Sequence, residues 1–314
     1  MHKVLVTAPL VVDVAQWLGD LGQVTTLQPG QDLLTAAKGA SAMLTMLNNR
    51  VDDALFDAAG PQLKVCANYA VGYNNMDLAA AARRGIVCTN TPDALTLATA
   101  ECAWALLFAA ARRVVEGDAM MRAGAFDGWA PTMLLGADVT GRTLGIIGAG
   151  RIGRAMAHMS RGFGMKVLYY NRSPKPEFEA ELGAERVELD ELLRRSDFVS
   201  LHLPYSPDVH HLLGARAFGL MKPNAIFINT GRGACVDEAA LVEALQTKQI
   251  AAAGLDVYEK EPTMAEGLAA LDNVVLLPHL GSAHTVARTA MARMAADNIR
   301  AVLTGQPAPQ QLMV

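Results

Sequence analysis

Along the chain, short apolar runs alternate with longer Ala-rich stretches. Runs at residues 3–7, 42–47, 64–68, 86–89, 143–147, 166–170, 198–203, 225–229, 252–256 and 274–277 predict strands. Most are apolar at nearly every position rather than at every second one, the pattern of parallel strands covered on both faces. Between them, stretches such as 98–115 and 286–303 have helical length and helix-forming composition. This alternation predicts a doubly wound α/β architecture.

A strand, a glycine-rich turn and a helix begin at Thr143, in mid-chain. The roughly 140 residues before it suffice for a second small α/β unit. After Pro278 there is no further strand signal, only a helical stretch and a Pro/Gln-rich tail, so the last helix is expected to return to the first unit. The expected fold is therefore two Rossmann-like domains, doubly wound parallel sheets with a cleft between them. Residues 1–95 plus 285–314 form the first and residues 96–284 the second.

Composition narrows the function. Hydrophobic residues make up 52% of the 314 residues and charged ones 18%, which excludes a disordered chain. Lys and Arg number 27 against 31 Asp and Glu, a net charge of −4, which argues against nucleic acid and anionic membrane as partners. Cys66, Cys88, Cys102 and Cys235 form no CxxC pair, so neither a metal site nor a redox dithiol is indicated. Scattered thiols fit a reducing cytosol. The longest apolar stretch, 98–111, contains Glu101 and is short of a membrane span, and the first residues lack the form of a signal peptide. A soluble cytoplasmic protein is expected.

The segment from Gly148 to Gly153 reads Gly-Ala-Gly-Arg-Ile-Gly after an apolar strand and before an Ala-rich helix. In that context the glycines bind a dinucleotide: Gly148 makes the tight turn, Gly150 admits the pyrophosphate, and Gly153 lets helix and strand pack closely. The next strand ends in Asn171-Arg172-Ser173, where an NAD site normally carries an acid for the ribose 2′-hydroxyl. With no acid in that position and a guanidinium beside it, the expected cofactor is NADP(H), with Lys175 as a further cation. The alternative reading is that Arg172 stacks on adenine and the site tolerates both cofactors.

Three polar residues follow later strands, on the side where such sheets bind ligands: Arg232, Glu261 and His279. Arg232 stands between glycines, with room to face a carboxylate. A histidine beside a glutamate favours its protonated form, and so can donate a proton to a carbonyl that accepts hydride.

These motifs resemble the D-isomer-specific 2-hydroxyacid dehydrogenase family. The resemblance rests on Gly148–Gly153, Asn229-Thr230-Gly231-Arg232-Gly233, Gly254-Leu255-Asp256-Val257 with Glu259-Lys260-Glu261-Pro262, Pro278-His279-Leu280-Gly281-Ser282, and upstream Asn68-Tyr69-Ala70-Val71-Gly72 and Asn90-Thr91-Pro92. It covers nearly the whole chain and is strongest to the glyoxylate/hydroxypyruvate reductase branch. It implies a discontinuous, flavodoxin-like substrate-binding domain and an NADP-binding Rossmann domain. It implies Arg232 on the substrate carboxylate and keto oxygen, His279 as proton donor, and Glu261 as its partner. Backbone N–H groups of Val71 and Gly72 would bind the carboxylate. The cofactor would touch Gly148, Gly150, Arg151, Ile152 and Gly153, then Asn171, Arg172 and Ser173. Leu203, Pro204, Thr230, Asp256, His279 and Gly281 would complete its surroundings, with Asp256 on the nicotinamide amide. The helix from Ala98 would lie in a homodimer interface, and Trp129 would reach toward the partner's active site or plug the cleft. Three positions depart from the pattern: Asn75 for Asp, Leu97 for an acid and Asp93 for Gly.

The implied reaction is NADPH-dependent reduction of a small 2-oxoacid, glyoxylate to glycolate or hydroxypyruvate to D-glycerate. Alternatives are a sibling acting on a bulkier acid, such as phenylpyruvate or hydroxyphenylpyruvate, an oxidation enzyme of the same family, and a nucleotide-gated, co-repressor-like binding protein. The other histidines read as structural. His202 is expected to pack near the cofactor without chemistry. His158 lies on the helix after the glycines, and the His210–His211 pair has no third ligand at metal spacing, so no metal is expected.

Overall fold

The computed structural model describes residues 1–313, in two compact units. Of these residues, the first comprises 1–95 and 282–313, the second Thr96–Gly281. In the first unit, β1 (His2–Val6), β2 (Gly22–Thr26), β3 (Ala42–Thr45), β4 (Val65–Asn68) and β5 (Val87–Thr89) form a parallel sheet of order β2-β1-β3-β4-β5. That order is the flavodoxin-type one.

Alternate residues of these strands enter different cores, as the pleat requires. Val4, Val6, Leu44 and Val65 pack on Met291, Ala295 and Ile299 of the helix Thr285–Leu303. Leu5, Met43, Cys66 and Cys88 face Leu55, Phe56 and Ala80 on the other side. Cys66 and Cys88 are thus small core hydrophobes, and burial pushes both thiols up, Cys88 to about 12.

The second unit contains β6 (Thr143–Ile147), β7 (Lys166–Tyr170), β8 (Glu185–Arg186), β9 (Phe198–Leu201), β10 (Ile226–Asn229), β11 (Ala252–Leu255) and β12 (Val274–Leu276). Their order is β12-β11-β10-β9-β6-β7-β8, all parallel. The order reverses between β6 and β9, the topological switch at which such sheets bind ligands beyond their carboxyl ends. The helix Thr96–Ala111 covers one face through Ala103, Trp104 and Leu107, and the Trp104 indole N–H donates to the Met156 carbonyl at 3.1 Å. The other face packs Val199, Leu201 and Phe227 against Leu192, Phe218 and Leu241.

Two strands were not expected. β2 carries Gln23, Thr25 and Thr26, pairs only with β1 and is nowhere fully buried, so it has no apolar run to reveal it. β8 is an exposed two-residue edge strand. The expected helix over 98–115 is two helices. The first helix ends at Ala111; Arg113 adopts a left-handed conformation, φ +51°, and caps the start of the second, Val114–Arg122, with its guanidinium on Glu116. Among the described residues, no helix is long and apolar enough to cross a membrane.

Candidate active site

Beyond the carboxyl end of β6 the chain turns at Gly148, whose φ is +98°. A Cβ there would lie 2.9 Å from both the His202 carbonyl carbon and a Leu203 methyl, so only glycine fits. Gly150 caps the helix Arg151–Met159 with no side-chain bond, and a Cβ on it would meet open space. Gly153 packs against the Gly148 carbonyl, 2.3 Å from where its own Cβ would be. An open turn ahead of an uncapped helix N-terminus fits a pyrophosphate.

Asn171, Arg172 and Ser173 follow β7. The Asn171 amide donates to the Ser173 carbonyl at 2.9 Å, and Arg186 donates to the carbonyls of Asn171 and Arg172 at 3.2 and 3.3 Å. Arg172 is 86% exposed and pairs with Asp208 at 3.0 Å. The position after β7 holds Asn171 rather than an acid, but a carboxylate does reach Arg172 from elsewhere: Asp208 comes from the short turn Pro207–Val209, distant in sequence. Lys175 is held through its backbone N–H by the Tyr169 hydroxyl.

His202 follows β9, just before Leu203 and Pro204. Its ring bonds Ser200 Oγ at 2.9 Å and approaches Met156 Sδ at 3.3 Å and Thr230 Oγ1 at 3.4 Å. Burial pushes its pKa down to about 4, so the ring is neutral at neutral pH. His158 pairs with Glu181 at 2.9 Å.

Arg232, Glu261 and His279 follow β10, β11 and β12, neighbours in the sheet. His279 Nδ1 lies 2.8 Å from Glu261 Oε2, and Glu261 Oε1 accepts the Tyr258 N–H at 3.1 Å. Burial opposes ionisation of Glu261. The hydrogen bond and charge of His279, the Tyr258 N–H and the Arg232 charge outweigh it and hold the carboxyl below its usual range. Burial also lowers Arg232 from its ordinary value, with Glu261 acting against that, and a guanidinium so perturbed stays charged. One Nη of Arg232 donates to the Gly231 carbonyl at 2.7 Å.

His279 is itself left-handed, φ +57°, uncommon for a residue with a side chain. Asp256, 1% exposed, accepts the next two N–H groups, Leu280 at 2.5 Å and Gly281 at 2.7 Å. Burial raises the Asp256 pKa, and those two bonds and His279 counter it. Both Asp256 oxygens thus hold the turn that aims His279.

Val71 and Gly72 lie in the first unit, after β4. Their carbonyls accept from the Asn90 amide at 2.7 Å and the Asn68 amide at 2.9 Å. Asn75, where the resemblance expects Asp, donates to the Met46 and Asn49 carbonyls at 3.1 and 2.9 Å, which a carboxylate could not do. Trp129 is 80% exposed, after the helix Val114–Arg122.

The reading of the His210–His211 pair also changes. His210, His211 and Glu259 bring one ligand atom each to within 4.8 Å of one another, with His211 Nε2 3.2 Å from Glu259. A third group is present; chain folding supplies it from 48 positions away, beyond any local spacing. A cavity of about 770 Å³ lies at the opposite, amino end of β9–β12, among Ala109, Asp197, Lys248 and Asn273, and includes none of the acid–base set.

A doubly wound sheet with an open glycine turn, and an acid–base pair beside an arginine past neighbouring strands, defines a class: dinucleotide-dependent dehydrogenases. Comparison with known proteins narrows it. Residues 104–281 match the family model for the D-isomer specific 2-hydroxyacid dehydrogenase, NAD binding domain. The chain is 50% identical over 281 residues to a glyoxylate reductase of Thermococcus litoralis, covering 88% of this chain and 85% of that one. It is 48% identical over 285 residues to that of Pyrococcus furiosus, covering 90% and 84%. Among solved structures, it resembles an NADPH-dependent glyoxylate/hydroxypyruvate reductase of Sinorhizobium meliloti in complex with NADP and malonate (TM-score 0.86, 33% identity, 99% and 96% covered). A glyoxylate reductase from Paecilomyes thermophila gives a TM-score of 0.89 at 33% identity, 99% and 98% covered. The chain belongs to the D-isomer-specific 2-hydroxyacid dehydrogenase family.

Proposed function

We propose that the protein is an NADPH-dependent reductase of small 2-oxoacids, converting glyoxylate to glycolate and hydroxypyruvate to D-glycerate. The observation that carries the reading is the His279–Glu261 pair at 2.8 Å, with Arg232 acting on the same carboxylate. Unit Thr96–Gly281 is the nucleotide-binding domain in this reading, and the other unit, with the backbone of Val71 and Gly72, binds substrate. When bound, the reduced nicotinamide would be the source of the hydride for the keto carbon. His279 gives its proton to the keto oxygen through Nε2, the nitrogen turned from Glu261. Arg232 pairs with the substrate carboxylate and offsets charge growing on the oxygen. Glu261 holds the ring in place through Nδ1 before transfer. The Gly148–Gly153 turn would hold the pyrophosphate, and Asn171, Arg172 and Ser173 would hold the 2′-phosphate. The relatives named for glyoxylate, and the relative solved with NADP, support substrate and cofactor.

Two copies are expected to associate in the cytoplasm. Val114, Val115, Met121, Phe126, Trp129 and Leu135 are exposed on and after the helix Val114–Arg122, an apolar surface suited to a second copy.

The test is the initial rate of NADPH and NADH oxidation with glyoxylate, hydroxypyruvate, pyruvate and phenylpyruvate. Fast turnover of NADPH with the first two is expected. Turnover confined to phenylpyruvate refutes the substrate assignment, and faster use of NADH refutes the cofactor assignment.

A further inference from the structure

We infer that Glu238 is a positioning residue for the proton donor: its two carboxylate oxygens hold both ends of the segment that carries Glu261 against His279. The inference rests on the acid–base reading above.

Glu238 opens the helix Glu238–Gln246 and is only 5% exposed. That helix is anchored by Leu241 and Leu245 in the core. One Glu238 oxygen accepts the Glu259 N–H at 2.5 Å, and the other accepts the Ala265 N–H at 2.9 Å. Between these points the chain closes on itself, with Thr263 N–H and hydroxyl both bonded to the Lys260 carbonyl, and Glu261 stands inside the closed turn. Buried carboxylates are found bonded, and this one spends both oxygens on a single segment.

Two further contacts seat the same segment. A Cβ on Gly233, next to Arg232, would lie 1.9 Å from the Tyr258 carbonyl carbon and 2.3 Å from Glu259 N. Only glycine lets the segment rest on the backbone that follows Arg232. His211 pairs with the Glu259 side chain at 3.2 Å, while its own N–H bonds the Ala234 carbonyl at 3.0 Å. The clamp therefore carries the register of the Arg232 loop to Glu261, and through Glu261 to His279. Glu238 acts through Glu261 and is no acid or base of the reaction.

The substitution Glu238→Gln keeps size but turns an NH₂ donor toward one of the two N–H groups. Glu238→Asp keeps the charge but is one methylene too short to span both ends. Other ionisable groups around the clamp are Asp237, Tyr258, Glu259 and His211, and those around His279 are Glu261, Asp256 and Arg232. All are retained in these two variants.

The experiment follows the titration of the His279 ring by NMR, with kcat/KM against pH for NADPH-dependent reduction, in wild type, E238Q, E238D, E261Q and E238Q/E261Q. Expected is a severalfold fall in kcat/KM in E238Q and E238D, with the ring titration and the alkaline limb displaced in the same direction as in E261Q. The double variant is expected to match E261Q, and NADPH affinity to stay within about twofold. A lower Tm with an unmoved titration, or shifts that add fully in the double variant, overturns the inference. If E261Q itself leaves His279 unmoved, the acid–base reading falls and takes the clamp with it. If E261Q moves it and E238Q and E238D do not, the clamp alone falls. The NMR titration needs no substrate, so it decides the question even if no tested oxoacid turns over. E238D serves if E238Q does not fold.

Discussion

Arg232 donates one N–H to its neighbouring carbonyl, and in the proposed reaction the rest of its planar fork would hold the substrate carboxylate. Arg232→Lys retains charge but loses the fork. It is expected to lower kcat/KM for glyoxylate on the order of 10², measured by steady-state kinetics, while NADPH affinity holds. His202 yields a pH prediction. Its folded pKa, about 4, lies below the ordinary histidine value, so the native state binds the neutral ring. That contribution is complete above about pH 6.5 and is lost as pH falls from there toward 4. The Tm should decline across this window, and His202→Gln should flatten the decline; an unchanged slope in the variant contradicts the assignment. Glu261 has the same sign, lowered in the fold, so its pairing weakens only as pH falls through its depressed value.

Elements decide what sequence patterns can reveal. β6, β9 and β10 are buried at almost every position, so their apolar runs expose them directly. β2 and β8, at sheet edges, have no such run. The placement of Arg232, Glu261 and His279 after neighbouring strands and the pairing of the last two were legible because each follows a strand in a recognisable order. Glu238 was not: beside Asp237 it reads as an ordinary helix-start acid, and its bonds go to backbone N–H groups, which leave no mark on residue type. Asp208 was missed because only the fold brings its turn to Arg172. Asp208→Asn should free Arg172 and raise the ratio of kcat/KM for NADPH over NADH severalfold, with a fall in that ratio counting against the 2′-phosphate assignment. Gly148→Ala forces a Cβ into a left-handed turn, a strain of about 1–3 kcal/mol, so NADPH binding by fluorescence titration should weaken roughly tenfold or more.

At the scale of the whole molecule, the second unit leaves large apolar side chains in water, Trp129 most of all. Sedimentation should show a dimer at micromolar concentration, and Trp129→Asp with Phe126→Asp should shift it toward monomer; a monomeric wild type contradicts the association. Both sheets are parallel, and such sheets collect function at their carboxyl ends. Arg232, Glu261 and His279, the proposed acid–base set, stand there, past β10, β11 and β12. The measurement that bears most directly on it compares NADPH oxidation by glyoxylate in wild type and His279→Ala, with NADPH affinity determined in parallel. The account predicts rapid turnover in wild type, a loss of about 10²–10⁴ in kcat in the variant, and unchanged NADPH binding. Undiminished turnover in His279→Ala would contradict it.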